Sequence, residues 1–304
     1  MKGSAMNIFI TGGSGFVGKE LSYYLLKQGH HVTAVGRSSF HKLSGHNNFQ
    51  YIFADTTQPG AWQNTVQEMD ALVNLAGATI FRRWTKSYKS QIYDSRILTT
   101  RNLVEAIPEN REVTLCSTSA AGYYGNRGDA MLNEDSRPGD DFLADICVAW
   151  EKEAYQAQAK GSRVATMRFG VVLGYSGGAI QKMRLAFEFF AGGPLGNGMH
   201  WFPWIHMDDL TAAILFVLEN PEIKGPVNFC APGQVRNADF ARALGNALNR
   251  PSFMPAPAFI IRLMMGELGA SLLNSQRTVA DKLASYGFRF RYPVIDNALR
   301  AIVK

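Results

Sequence analysis

The sequence predicts an α/β fold, a doubly wound parallel sheet joined to a smaller, mostly helical C-terminal lobe. Three observations carry this. An apolar run near the N-terminus meets a glycine turn and a helical pattern. Strand-like and helical stretches then alternate through the first half, and the alternation is lost in the last third. With 304 residues and 46% apolar content, the chain can bury a substantial core.

In chain order, residues 1–5 read as an expression scar, with the native start at Met6. Ile8-Phe9-Ile10 is a buried parallel strand leading into Thr11-Gly12-Gly13-Ser14-Gly15-Phe16-Val17-Gly18. The helix that follows carries Val17, Leu21, Tyr24, Leu25 and Gln28 on one face and stops at Gly29. Glycines let the backbone approach phosphates, and first-turn N–H groups with the helix dipole stabilise negative charge. A strand, glycine turn and helix in this order therefore read as a Rossmann-type pyrophosphate site rather than a plain tight turn. Further strands fall at 31–35, 49–54, 71–75 and 113–117, with two more at 164–169 and 227–229. Gly- and Pro-rich loops and helices from about 238 to 285 make the lobe.

The end of the second strand selects the dinucleotide. Val35-Gly36-Arg37-Ser38-Ser39 carries no carboxylate between residues 32 and 42. A carboxylate there binds the 2′-hydroxyl of NAD, whereas an Arg accommodates the 2′-phosphate of NADP. Arg37, with its planar fork, and Ser38 favour NADP(H) over NAD(H); a solvated surface Arg is the alternative. Asp55, after the third strand, is placed to accept from the adenine amino group, or else caps a helix.

Other classes are disfavoured. The net charge is +6, but no run of Lys or Arg exceeds two, which argues against nucleic acid as a partner. The apolar stretch 257–273 is broken by Arg262 and Glu267, an amphipathic helix rather than a membrane span. Cys116, Cys147 and Cys230 lack metal-ligand spacing and read as reduced thiols of a cytoplasmic protein. No metal site is expected: His206 with Asp208 and Asp209 reads better as a helix start than as a ligand cluster.

The block from Thr11 to Gly18 resembles the opening of the extended short-chain dehydrogenase/reductases. Asn74-Leu75-Ala76-Gly77 resembles that family's fourth-strand motif beside the cofactor. Ser117-Thr118-Ser119 with Tyr124-Gly125 resembles its serine strand and Tyr-Gly corner, and Trp204 to Asp209 the block that fixes the substrate lobe. Arg82-Arg83-Trp84, Asp94-Ser95-Arg96, Trp150-Glu151 and the stretch Gly192 to Gly198 resemble a narrower bacterial "epimerase family". Its members are NAD-dependent epimerase/dehydratases or nucleoside-diphosphate-sugar epimerase-like proteins with a short extra C-terminal domain. The resemblance implies an NADP-binding domain over 6–170, to which 205–230 contributes. The substrate lobe then takes 171–204 and 231–304, the extra domain starting near 250. It also implies an oxidoreductase or isomerase that moves hydride on a sugar nucleotide or a related carbonyl or carbinol. A homodimer is left open.

The resemblance breaks at the catalytic pair. The family places Tyr and Lys at i and i+4, on one face of the helix expected over 142–160. Here the matching positions hold Cys147 and Glu151, and the single Tyr-x-x-x-Lys, Tyr23 to Lys27, lies on the first helix. A positioned acid/base is worth about 10² to 10⁴ in rate, so the departure matters. Three readings stand open. Tyr123 or Tyr124 replaces the acid; Cys147 and Glu151 run a different pair; or Cys147 merely packs, and the chain is an NADP(H)-binding regulatory or scaffold protein with little turnover. An enzyme is the preferred reading. Ser119 is the hydroxyl for a substrate carbonyl, or else a buried turn serine. Arg82, Arg83 and Trp84 suit a phosphate or a base, and Arg168 and Lys182 suit a diphosphate, each against a plain packing or solvated role. Arg96 reads as a hydrogen-bonded tie between two elements. Arg37→Asp is expected to reverse the cofactor preference, measured by titrating wild type and variant with NADP and NAD.

Overall fold

The alternation is realised as a seven-stranded, all-parallel sheet in a computed structural model that describes residues 4–109 and 111–303. Residues 1–3 of the expected scar lie outside the described residues. The first half runs β1 Asn7–Thr11, α1 Phe16–Gln28, β2 His31–Gly36, β3 Phe49–Phe53, α2 Trp62–Val66, β4 Ala71–Asn74, α3 Lys86–Ala106 and β5 Thr114–Ala120. There follow β6 Met131–Leu132, α4 Phe142–Tyr155, β7 Arg163–Phe169, β8 Val171–Gly174, α5 Gly178–Glu188, β9 Trp201–Phe202 and β10 Trp204–His206. The chain ends with α6 Met207–Glu219, β11 Gly225–Phe229, β12 Val235–Arg236, α7 Asn237–Leu248, α8 Ala258–Met265, α9 Glu267–Ser271, β13 Arg277–Thr278, α10 Asp281–Ser285 and α11 Ile295–Val303.

Sheet order is β11-β7-β5-β4-β1-β2-β3, so the chain reverses direction between β1 and β4. Crevices at the carboxyl ends of such reversals are where α/β sheets bind ligands. The period of two along β1 decides which layer each residue enters. Ile8 and Ile10 pack with α1 and α6, through Leu21, Leu25, Leu210 and Ile214. Phe9 faces the other layer, with Trp62, Leu103 and Ala154. All three β1 residues are fully buried, which explains an unbroken apolar run.

The lobe differs from its sequence reading in two places. A short parallel pair, β8 with β10, lies between the sheet and the lobe. The stretch 257–273 is two helices, because Gly266 takes φ 60° and ψ −135° between α8 and α9. That backbone geometry belongs to glycine. Leu173, Trp204, Phe240, Leu244 and Leu299 form the lobe's own core. Among the described residues no helix is long and apolar enough to cross a membrane.

The first turn of α1 is seated directly on the glycine turn. A Cβ on Gly18 would stand 2.4 Å from Gly12 O and 2.7 Å from Gly13 Cα. Gly18→Ala is therefore expected to cost about 1–3 kcal/mol through overpacking, read as a shift in the urea unfolding midpoint.

Candidate functional site

The glycine turn packs against β2 and the residues that follow β4. Gly12, at φ +68°, abuts the backbone of Leu75 and Ala76, where a Cβ would lie 2.9 Å from Ala76 N. Gly13 lies against Ala34, with a Cβ there only 2.5 Å from Ala34 Cβ. Gly15 precedes α1 with no side-chain cap, and no acidic residue stands in the first turn. The first backbone bond of the helix runs from Lys19 N to Gly15 O, leaving the N–H groups of Phe16, Val17 and Gly18 without an intrahelical acceptor. Free first-turn N–H groups of this kind can bind an anion.

β2 delivers its end to the same place. A Cβ on Gly36 would stand 2.4 Å from Ser14 Oγ, so the strand terminus touches the turn. Arg37 and Ser38 follow, both exposed. Ser38 Oγ donates to Phe40 O at 2.9 Å, so its proton is held in a local turn. Asp55 caps no helix. Its Oδ1 accepts from Thr57 N at 3.0 Å and from Thr57 Oγ1 at 2.8 Å, closing a turn two residues beyond β3.

Beside the turn opens a cleft of about 450 Å³. Phe16 and Val17, Leu75 and Gly77, Thr118 and Ser119, Cys147 and Trp150 all border it. Thr118 Oγ1 and Ser119 Oγ are buried there with no oxygen or nitrogen partner among the described residues, Ser119 having the Cys147 thiol beside it. Native structures leave few such hydroxyls unpaired, and both residues line a ligand-sized space. Cys147 is 4% exposed, its Sγ 3.9 Å from Ala120 O. Burial, reinforced by the Glu151 carboxylate, pushes its thiol from 9.0 up to about 11, against the opposing pull of Ser119 and Arg96.

The structure does not bring the other sequence candidates into this cleft. Tyr124 is fully buried; its hydroxyl donates to Asn228 Oδ1 at 2.7 Å and accepts from Arg168 Nη1 at 3.0 Å. Burial lifts its pKa far above the ordinary tyrosine value. The Tyr123 ring is spent as a face for the Arg168 guanidinium, 3.5 Å from its Cζ. Arg168 itself is 3% exposed and behind the cleft. It donates Nε and Nη2 to both oxygens of Glu151, at 2.8 and 2.9 Å, and Nη1 to Tyr124 Oη and Glu134 O. With its donors committed inward, it holds no diphosphate. Glu151 is the partner that sequence reasoning missed; the signal was an Arg inside an apolar strand, which requires a buried counter-charge.

Arg82 and Arg83 are exposed and do not line the cleft, and Arg82 stacks loosely on Tyr88 at 5.8 Å. Trp84 is buried edge-on against Phe142, its indole donating to Ile80 O at 2.9 Å. Lys182 is exposed at the rim, 4.8 Å from the centre of the Phe81 ring. His206 accepts from Asp208 N at 3.1 Å, and Asp209 accepts from Arg291 N and Tyr292 N, so this block fastens α6 to the chain beyond α10. No group of potential metal ligands occurs among the described residues.

Residues 8–229 match the family model described as NAD dependent epimerase/dehydratase family, and residues 256–302 match a domain of unknown function, DUF1731. An Arabidopsis thaliana protein, "Epimerase family protein SDR39U1 homolog, chloroplastic", is 39% identical over all of this chain and 88% of its own length. The crystal structure of human epimerase family protein SDR39U1 (isoform 2) with NADPH superposes with a TM-score of 0.87. It is 31% identical, over 98% of this chain and 99% of that one. A nucleoside-diphosphate sugar epimerase from Corynebacterium glutamicum is 34% identical with a TM-score of 0.78, over 99% of this chain and 58% of that one.

The buried ion pair gives a direct test of placement. Arg168→Met strands the Glu151 charge and is expected to cost about 3–5 kcal/mol, and Arg168→Met with Glu151→Leu to recover most of it. Urea unfolding of both variants measures this.

Proposed function

Because the chain belongs to the NAD-dependent epimerase/dehydratase family, we propose that it is an NADP(H)-dependent oxidoreductase acting on a carbonyl or carbinol. The observation that carries this is the pair of buried hydroxyls, Thr118 and Ser119, on residues that line the cleft with no oxygen or nitrogen partner among the described residues. The free amides of Phe16, Val17 and Gly18 would hold a diphosphate and Arg37 a 2′-phosphate, the Ser38 hydroxyl proton being held by Phe40 O. The loop Leu75-Ala76-Gly77 would border the bound nucleotide, with Asp55 reaching its adenine through the free Oδ2. The human relative's NADPH supports this assignment. Bound nicotinamide supplies or accepts the hydride.

The chain's own residues do the rest. Ser119 Oγ donates to the substrate oxygen and fixes its position. Cys147, at the position of the family's Tyr, passes that oxygen its proton; Tyr123 and Tyr124, turned toward Arg168, are left with a packing role. A sugar nucleotide draws support from the name of the Corynebacterium relative. It draws none from the cleft walls, which are mostly apolar and carry none of Arg82, Arg83, Arg168 or Lys182. We therefore favour a non-sugar carbonyl compound.

A second reading, an NADP(H)-binding protein without turnover, is favoured by one observation. Glu151 is captured by Arg168, so the position of the family's Lys offers the cleft no cation. Turnover separates the two. The protein is expected to bind NADPH at least tenfold tighter than NADH and to oxidise it with members of a carbonyl panel. Ser119→Ala and Cys147→Ala are each expected to lower that rate by about 10² or more with NADPH affinity unchanged. Tight NADPH binding with no oxidation across the panel would favour the second reading.

A further inference from the structure

Arg96 is the one charged side chain among the described residues that lines the cleft. It lies half-buried on α3, and no carboxylate among the described residues pairs with it. Both of its described hydrogen bonds leave Nη1, to Ala78 O at 3.2 Å and to Ile92 O at 2.9 Å. Gly77 sets the tilt of the group. A Cβ there would stand 3.1 Å from Cζ, 3.2 Å from Nη2 and 3.4 Å from Nε, so the guanidinium face rests on the loop after β4. The Trp150 ring lies 5.1 Å from Cζ.

The Nε–Nη2 edge is thereby left without a protein acceptor among the described residues. Two parallel N–H bonds on one edge are what a carboxylate accepts bidentately. A half-buried guanidinium with no counter-charge is stabilised by an anion brought to its open edge. Burial pulls its pKa below the ordinary arginine value, as expected for such a group.

We propose that Arg96 is the anion subsite of the substrate, and that the substrate is an apolar carbonyl or carbinol compound bearing one carboxylate. This rests on the oxidoreductase reading above. The apolar part would lie on Ile80, Phe81, Leu143, Ile146, Leu268 and Leu272, which line the rest of the cleft. A cofactor phosphate is the other anion that Arg96 could meet. The cofactor's diphosphate already has the amides at the start of α1, and its 2′-phosphate has Arg37.

Octanoate and octanamide distinguish charge from shape, since they differ by one terminal group. Each is titrated calorimetrically into the full chain saturated with NADPH, after NADPH alone. Octanoate is expected to bind about 10- to 100-fold tighter than the amide, the value of a charge-assisted bidentate contact. Arg96→Met, checked for an intact melting transition, is expected to bring the two within about twofold while NADPH affinity stays within about threefold. Arg96→Lys, which keeps the charge but loses the fork, is expected to fall between them and serves if the Met variant does not fold. Equal binding of acid and amide, or of neither, overturns the proposal while leaving the cofactor reading intact. Loss of NADPH affinity in Arg96→Met assigns the guanidinium to a cofactor phosphate and overturns it too. Failure of the wild-type chain to take up NADPH overturns both readings.

Discussion

The amide of Asn74 holds the reacting end of this fold together. Its Oδ1 accepts from Thr11 Oγ1 at 2.6 Å, and its Nδ2 donates to Thr100 Oγ1 at 2.8 Å and Ser117 Oγ at 3.2 Å. Thr100 Oγ1 also accepts from Trp150 Nε1 and donates to Arg96 O, which fills the capacity of a hydroxyl. One fully buried side chain thus ties β1, β4 and β5 to α3 and α4. Satisfied buried networks of this kind fix a single arrangement, because any slip leaves several polar groups unpaired at once. The glycine turn, Ser119, Cys147 and Arg96 all hang from elements that Asn74 connects. The cleft's geometry is therefore set at the bottom of the sheet's crevice rather than by its loops.

How much of this was legible in the sequence depends on the range of the interaction involved. The seven sheet strands and the helix after the glycine turn were readable, because each is a local pattern of apolar spacing and turn residues. So was the turn that leaves the first amides of α1 free, since Gly12 to Gly18 are consecutive and their demand is on backbone. What failed to read was pairing across the fold. Glu151 and Arg168 lie 17 residues apart on different elements, and nothing local distinguishes a bidentate pair from two surface charges. Arg82 and Arg83 carry the right chemistry for phosphate, but both are exposed and neither lines the cleft. Arg96 looked like a structural tie, and its Nη1 is one; only the packing against Gly77 and Trp150 reveals that the other edge of the same group is spare.

The exchange of the family's Tyr and Lys for Cys147 and Glu151 is coherent as electrostatics. A carboxylate at position 151 facing the cleft would repel a developing oxyanion. Here Arg168 turns it inward and neutralises it, and Tyr124 and Glu134 O complete the guanidinium's shell. Arg96, on α3 rather than α4, is near enough to Cys147 to pull its thiol pKa down against burial. One positive charge therefore stands near the buried thiol although position 151 offers none.

The acidity of that thiol follows the same balance. Burial and Glu151 raise it to about 11, not far from the ordinary tyrosine value of about 10. Such a group stays protonated at neutral pH, as the proton donor of the proposed reaction would have to be. The same burial leaves the sulfur beside a mostly apolar lining, so the substrate that it would serve is one that an apolar wall accepts.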